Sequence, residues 1–214
     1  RELGVPARFL SADEINAVAD RIPNPSEIVA REVGVPGVAE GAALAASGAS
    51  SLTVEKRKSA RATCAIAASE NVVRPQAVGR ARGRLSVVGV GPGAGDWRTG
   101  EAVTLLRDAE DWVGYGAYLD LVADLRRGQR EHRFELGQEE QRVRVALDFA
   151  GEGRNVALVC SGDPGIYAMA SLVYEVLALD PASPEAISDA ARRAEVVVAP
   201  GISAIQATAA RAGA

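Results

Sequence analysis

Three loops rich in glycine and proline contain the residues of this sequence that are best suited to binding a small molecule. They are Gly89-Val90-Gly91-Pro92-Gly93, Ser161-Gly162-Asp163-Pro164-Gly165 and Pro200-Gly201-Ile202-Ser203. Glycine has no Cβ, so it permits tight turns and lets a ligand approach the main-chain amides closely. The loops therefore predict recognition of a small molecule mainly through the backbone.

Each loop follows an apolar run and precedes a helical pattern. Continuous apolar runs at Leu85–Val90, Asn155–Cys160 and Glu195–Ala199 are typical of strands buried on both faces of a parallel sheet. Another short strand is predicted at Asp111–Gly114, and the predicted helices are Glu101–Arg107, Tyr118–Leu125, Glu139–Ala150, Ile166–Leu179 and one from Ser203. Alternating strands and helices predict an α/β fold with a parallel sheet. Ligands of such sheets bind beyond the carboxyl ends of the strands, where all three loops are placed.

The first loop does not match the common nucleotide-binding motifs. Its Gly89-x-Gly91-x-x-Ala94 spacing is a weak dinucleotide signal, and no acidic residue follows the strand that ends at Gly114. Pro92 also removes one backbone donor from the loop. No Gly-Lys-Ser or Gly-Lys-Thr follows any of the three loops, so a P-loop is excluded.

Charge and composition exclude several other classes of protein. The chain has 214 residues, 48% hydrophobic residues and a net charge of −4. The excess of Asp and Glu over Lys and Arg lies in residues 84–214, and this acidic character argues against nucleic-acid binding. The sequence has no apolar run long enough for a membrane span, and a soluble cytoplasmic protein is expected. No metal site is expected, because the one histidine, His132, lies in a basic segment interpreted as solvated, and both Cys64 and Cys160 are predicted to be buried.

The first 72 residues predict a separate small α/β domain. Ser11 and Glu14 form a capping box, Ser26 caps a second helix, and Gly48 ends a third helix that begins near Val38. Short strands at 52–54 and 62–67 are expected on either side of the charged segment 55–58. Breaker residues at 73–83 predict a linker, so the expected domains are 1–72 and 84–214.

The three loops, in this order, resemble those of the tetrapyrrole methyltransferase family. Residues 113–119 and 162–170 look most like the precorrin-3B C17-methyltransferases of that family. The resemblance covers residues 84–214 and implies the first αβα lobe of a class III methyltransferase, in which the cofactor lies between two lobes. It also implies a second lobe after residue 214, so the isolated chain is expected to bind cofactor poorly and to be inactive.

A second resemblance covers the first domain. Leu3-Gly4-Val5-Pro6, Asn24-Pro25-Ser26-Glu27, residues 34–40 and Lys56-x-Lys58 look like the C-terminal domain of the CbiG cobalamin-biosynthesis proteins. The front half of that domain would precede Arg1. The two resemblances imply a fusion of parts that serve neighbouring steps of one pathway.

The resemblances imply a function in cobalamin biosynthesis. The expected reaction is methylation of precorrin-3B at C17 by S-adenosyl-L-methionine, with ring contraction to precorrin-4. A homodimer of the full-length parent is expected, without nucleic-acid or membrane partners. The alternatives are a methyltransferase for another precorrin or for uroporphyrinogen, or a non-catalytic α/β binding module.

The family resemblance also implies roles for individual residues. The residues expected to bind the cofactor are Ser161, Gly162, Asp163, Pro164, Pro200, Gly201, Ile202 and Ser203. The residues expected to face the tetrapyrrole are Gly91, Pro92, Gly93, Arg98, Tyr115 and Tyr118. Two alternatives remain open at this point: Asp163 and Ser203 are also good helix caps, and both tyrosines are also suited to packing. The sequence identifies no general acid or base.

Overall fold

The computed structural model describes residues 7–166 and 168–213. The chain divides into two compact units, one ending at Ala81 and the other beginning at Arg82. The predicted linker at 73–83 contains a 3-10 turn at Pro75–Ala77 and a short strand, Arg80–Ala81, that pairs within the first unit. The bounds 1–72, 73–83 and 84–214 stay a prediction.

The first unit has short helices and two small antiparallel ladders. Its elements are β1 (Arg8–Phe9), α1 (Ala12–Asn16), α2 (Glu27–Val33), α3 (Val38–Ser47), β2 (Val54–Lys58), β3 (Thr63–Ile66) and β4 (Arg80–Ala81). β1 pairs with β4, and β2 pairs with β3. The capping box of Ser11 and Glu14, the Ser26 cap and the left-handed Gly48 at the end of α3 are all confirmed.

A buried carboxylate ties α3 to the rest of the first unit. Glu40 is 1% exposed, and it accepts hydrogen bonds from the backbone and side-chain nitrogens of Asn24 and from the backbone nitrogen of Lys56. Burial acts to raise the pKa of Glu40, but these donors outweigh it and hold the pKa below its ordinary value.

Two predictions for the first unit are wrong. The charged segment 55–58 is part of β2, where pairing with β3 outweighs its polar sequence. Cys64 is exposed, because it lies on this two-stranded ladder and not in a packed layer. Leu3-Gly4-Val5-Pro6 lies outside the described residues.

The second unit contains a parallel sheet, as predicted, and this sheet has five strands where the sequence indicated four. Its elements are β5 (Arg84–Gly89), α4 (Gly100–Asp108), β6 (Asp111–Tyr115), α5 (Gly116–Asp120), β7 (Arg130–Phe134), α6 (Glu139–Gly151), β8 (Asn155–Cys160), α7 (Met169–Ala178), α8 (Asp189–Arg192), β9 (Glu195–Ala199) and α9 (Ala204–Ala212). The strand order is β7-β6-β8-β5-β9, and every pairing is parallel.

The sheet is covered on both faces. On one face Leu85 and Val87 join a core formed with α6, α7 and α8, and on the other face Val88 and Val90 pack with α4 and Trp112. Because successive side chains of a strand point to opposite faces, a continuous apolar run serves both cores. The α/β fold class is therefore confirmed, and Cys160 is buried as predicted.

The sequence analysis missed β7 and the short helix α8, and it placed the start of α7 too early. β7 is the polar segment Arg130-Glu131-His132-Arg133-Phe134 at the edge of the sheet, so it carries no apolar signal. α7 begins at Met169, after a turn that occupies the predicted start at Ile166. Tyr167, within the predicted helix, lies outside the described residues.

Asp111 connects three strands at the amino edge of the sheet. It is fully buried, and its two carboxylate oxygens accept hydrogen bonds of 3.0 Å from Nε and Nη2 of Arg130. Arg154 Nε donates at 2.7 Å, and His132 Nε2 lies 2.8 Å from Oδ1. His132, interpreted from the sequence as part of a solvated segment, is thus a partner of this buried acid.

The pKa of Asp111 reflects these partners. Burial acts to raise the pKa, and the hydrogen bonds from His132, Arg130 and Arg154 outweigh it and lower the pKa below its ordinary value. A carboxyl whose pKa is lowered by folding stabilises the folded state above its unfolded pKa. This contribution is lost as the pH falls through the folded pKa.

Replacing Asp111→Asn is expected to reduce the free energy of unfolding of the second unit by about 2 kcal/mol near neutral pH, because it removes the charge of a buried carboxylate that accepts hydrogen bonds from Arg130 and Arg154. The deficit should shrink as the pH falls below the ordinary pKa of an aspartate, because the lowered pKa of Asp111 stabilises the wild-type fold progressively less in that range. Tryptophan fluorescence during urea unfolding measures this unit, since both tryptophans, Trp97 and Trp112, lie within it.

The matched control is Asp189→Asn, whose side chain is 78% exposed. It should change the free energy of unfolding by no more than about 0.5 kcal/mol. An Asp111→Asn protein as stable as this control at neutral pH would contradict the role given to the Asp111 network.

Candidate functional site

The three glycine loops meet at the carboxyl edge of the sheet. They follow β5, β8 and β9, which are adjacent and parallel in the order β8-β5-β9. Gly91 and Gly162 exchange backbone hydrogen bonds of 3.2 and 2.9 Å, and Val90 donates to the carbonyl of Cys160 at 2.9 Å. The first two loops are therefore joined through their main chains.

The third loop packs so closely that side chains are excluded. A Cβ built on Gly201 would overlap the carbonyl oxygen of Gly162, and one built on Gly89 would lie 2.6 Å from that same oxygen. Gly91 and Gly162 also adopt the left-handed backbone conformation, at φ of 76° and 61°. Glycine at these four positions is a requirement of the main-chain packing.

Asp163 holds two of the loops together. Its Oδ1 accepts from the amide of Gly165 at 2.7 Å, and its Oδ2 accepts from the amide of Gly201 at 3.1 Å. The alternative role as a cap of α7 is wrong, because Ala168 occupies the N-cap position. Ser203 does cap its helix, forming a capping box with Gln206 at the start of α9.

A cleft of about 570 Å³ opens beside these loops. Its floor and walls come from the end of β8, the Ser161–Asp163 turn and the N-terminal parts of α6, α7 and α9. The lining residues are Tyr118, Glu139, Arg142, Cys160, Ser161, Gly162, Asp163, Ile166, Ala168, Met169, Leu172, Ser203, Ala204 and Ile205. Its volume is typical of sites for small molecules and cofactors.

The structure brings only some of the predicted site residues to this cleft. Among the residues predicted to bind the cofactor, Ser161, Gly162, Asp163 and Ser203 line it; Tyr118 is the predicted substrate residue that does so. The predicted residues outside the lining are Pro164, Pro200, Gly201, Ile202, Gly91, Pro92, Gly93, Arg98 and Tyr115. Gly201 does not line the cleft itself, but it packs directly against Gly162, which does.

Two predicted substrate residues have partners within the fold. Nη1 of Arg98 donates to Asp124, and its Nη2 donates to the carbonyl of Leu121, both at 2.9 Å. Tyr115 packs edge-on against Tyr118, with ring centroids 5.2 Å apart. The role of both residues in substrate binding stays a prediction.

The sequence analysis missed two charged residues of the cleft, Arg142 and Glu139. Arg142 is 4% exposed, and its Nη2 lies 3.1 Å from Glu139 Oε1. The helical spacing could have indicated this residue, because Arg142 lies next to Val143 and one turn before Ala146, on the buried face of α6. An arginine at that position requires either a partner or a ligand.

Thiol and metal chemistry have little support in this cleft. Burial raises the pKa of Cys160 to about 12, and the opposing charge of Arg142 is the weaker influence, so the thiol stays protonated. Residues 7–166 and 168–213 contain no cluster of histidine, cysteine and acidic side chains arranged for a metal ion. Within the same ranges, the helices are too short or too polar to cross a membrane.

Comparison with known proteins identifies the class. Residues 84–214 match the family described as tetrapyrrole (corrin/porphyrin) methylases, and residues 1–67 match the family described as cobalamin synthesis G C-terminus. The chain therefore belongs to the tetrapyrrole methylase family.

Individual relatives are more specific. The chain is 42% identical over 132 residues to the cobalamin biosynthesis protein CobIJ of Mycobacterium tuberculosis, a match that covers 62% of this chain and 24% of that protein. It is 38% identical over 132 residues to a precorrin-3B C(17)-methyltransferase from a Sinorhizobium species, covering 62% of this chain and 49% of the relative. The crystal structure of the methyltransferase CobJ aligns with a TM-score of 0.54 at 42% identity, over 62% of this chain and 52% of that one. The chain thus spans at most about half the length of these relatives.

Replacing Gly201→Ala is expected to lower the free energy of unfolding of the second unit by about 1–3 kcal/mol, because the new Cβ overlaps the Gly162 carbonyl and forces the loops apart. Urea unfolding followed by tryptophan fluorescence measures the change.

Gly100→Ala is the matched control. Gly100 begins α4 and has no atom within 4 Å of a built Cβ, while the effect of the substitution on the unfolded chain is the same. It should leave the unfolding free energy unchanged or slightly raised. Equal destabilisation by the two variants would rule out the close packing at Gly201 as the cause.

Proposed function

We propose that this chain forms part of an S-adenosylmethionine-dependent methyltransferase of cobalamin biosynthesis that methylates precorrin-3B at C17. The observation that carries the proposal is the cleft beside the three joined loops, at the carboxyl edge of a tetrapyrrole methylase sheet. The Sinorhizobium relative, a precorrin-3B C(17)-methyltransferase, is the source of the proposed substrate and position of methylation. A non-catalytic binding module is not favoured by these relatives.

The residues of the cleft fit an S-adenosylmethionine-sized ligand that is part apolar and part charged. Met169, Leu172 and Ile205 supply apolar surface, while Ser161 and Asp163 supply polar groups. The Ser161–Asp163 turn exposes main chain, since Gly162 carries no side chain over the cleft. One buried donor, Nη1 of Arg142, has no partner among the described residues.

The chemistry requires positioning more than acid or base catalysis. Bound S-adenosylmethionine supplies an electrophilic methyl group to a carbon nucleophile. The task of this chain is to hold the reacting atoms in line and to exclude water, which suits loops fixed by backbone contacts. In this proposal Asp163 is a positioning residue, because both of its oxygens accept from loop amides.

We place the tetrapyrrole next to the loop after β5. Pro92 is exposed there, Gly93 has an open left-handed conformation, and Gly91 is joined to Gly162 beside the cleft. The Tyr115–Tyr118 pair offers aromatic surface at the neighbouring strand end, and Tyr118 also lines the cleft. Substrate and cofactor would thus lie side by side at the joined loops, as in-line methyl transfer requires. The first unit is proposed to act in the same pathway, on the basis of its match to the CbiG C-terminal family.

The direct test uses the protein expressed from the complete gene, incubated with precorrin-3B and S-adenosylmethionine that carries a trideuterated methyl group. Mass spectrometry should find one labelled methyl group in a ring-contracted product, and NMR should place it at C17. A label at another ring position would show that the protein is a different precorrin methyltransferase and would overturn the C17 assignment. The absence of a labelled product would contradict the proposed function.

Replacing Asp163→Asn in that protein should reduce kcat/KM about 10–100-fold. An amide cannot accept from both Gly165 and Gly201, and a hydrogen bond to a charged group of this kind contributes about 1.5–3 kcal/mol. Asp189→Asn, an exposed aspartate at the start of α8 that does not line the cleft, is the control and should retain activity. Equal activity of the two variants would remove Asp163 from the mechanism.

A further inference from the structure

Arg142 lines the cleft with a guanidinium that is only partly satisfied. Its Nη2 donates to Glu139 Oε1 at 3.1 Å and lies 3.5 Å from the sulfur of Met169. Its Nη1 is buried and has no hydrogen-bond partner among the described residues. The whole residue is 4% exposed, and the cleft is the opening that it lines.

A buried cationic donor without a partner is costly, and such groups in folded proteins call for an explanation. The apolar neighbours of Arg142 in the cleft, Met169, Leu172 and Cys160, offer no strong acceptor. Since no described residue accepts from Nη1, we look to a ligand in the cleft for the acceptor, and a carboxylate matches the planar guanidinium best.

The charges around Arg142 further restrict this ligand. The cleft also contains the carboxylates of Glu139 and Asp163, so its charged lining residues are one cation and two anions. A dianion such as phosphate would be repelled by the two acids. A zwitterion is better matched, because its carboxylate meets Arg142 while its ammonium group meets an acid.

We infer that Arg142 binds the carboxylate of a zwitterionic α-amino-acid group at the end of the ligand in this cleft, with Glu139 as the partner of the ammonium group. The inference rests on the proposed function, in which the ligand is S-adenosylmethionine, and it assigns the methionine end of that molecule to α6. The ribose and adenine would then extend towards Ser161, Ser203 and Ile205, which line the rest of the cleft.

The test compares two ligands by calorimetry on the protein expressed from the complete gene. S-adenosylhomocysteine carries the α-amino-acid group, whereas methylthioadenosine has the same nucleoside and sulfur without it. The wild-type protein should bind S-adenosylhomocysteine at least about 10-fold more tightly, since the carboxylate satisfies the buried guanidinium. Arg142→Met, which keeps the length and packing of the side chain, should abolish this preference and leave the affinity for methylthioadenosine unchanged.

The matched control is Arg144→Met. Arg144 lies on the same helix, pairs with Glu140 at 2.7 Å and does not line the cleft, so this variant should keep the full preference. If Arg142→Met does not fold, as judged by tryptophan fluorescence, Glu139→Gln gives an independent measurement and should reduce the preference by weakening the ammonium contact.

The outcomes separate the two proposals. If the wild type prefers S-adenosylhomocysteine and Arg142→Met retains that preference, the role of Arg142 is overturned while the proposed function stands. If the wild type binds neither compound, the proposed function fails and this inference fails with it.

Discussion

Main-chain contact between three loops is the constraint on which the candidate site depends. Gly89 and Gly201 approach the carbonyl of Gly162 so closely that a Cβ added to either of them would overlap it. This approach is possible because β8, β5 and β9 are parallel neighbours, so their carboxyl ends reach the same edge at the same level. The loops thereby become one rigid border for the cleft, with Asp163 connecting the second loop to the third.

Two clusters of charged residues lie at opposite edges of the sheet in the second unit. At the amino edge, Asp111 meets Arg130, Arg154 and His132, and each partner contributes to holding the carboxyl in its ionised form. At the carboxyl edge, Arg142 has one acidic partner, and its Nη1 has no hydrogen-bond partner within residues 7–166 and 168–213. A satisfied network stabilises a fold, whereas an incompletely satisfied buried cation is a feature of binding sites. In our proposal, one edge of the sheet therefore serves stability and the other serves binding.

Much of the fold could be predicted because its central strands are apolar throughout. The predicted bounds of 155–160 and 195–199 are the observed bounds of β8 and β9, and both lie beside β5 in the sheet. β7 could not be predicted in the same way, because it is an edge strand of polar residues held by its register against β6. Similarly, the polar residues 55–58 form a strand through pairing with β3, a contact that no local pattern indicates.

The sequence by itself determined the α/β class, the three loops and the family, because apolar runs, glycines and their order are local properties of the chain. Only the tertiary structure decided which loop residues reach the cleft and that Arg142 and Glu139 join them. These two residues precede Ser161 by 19 and 22 positions and belong to a helix whose sequence looks like ordinary packing. Their role depends on which face of α6 packs against β8 and α7. That packing involves segments distant in the sequence, so no local pattern indicates it.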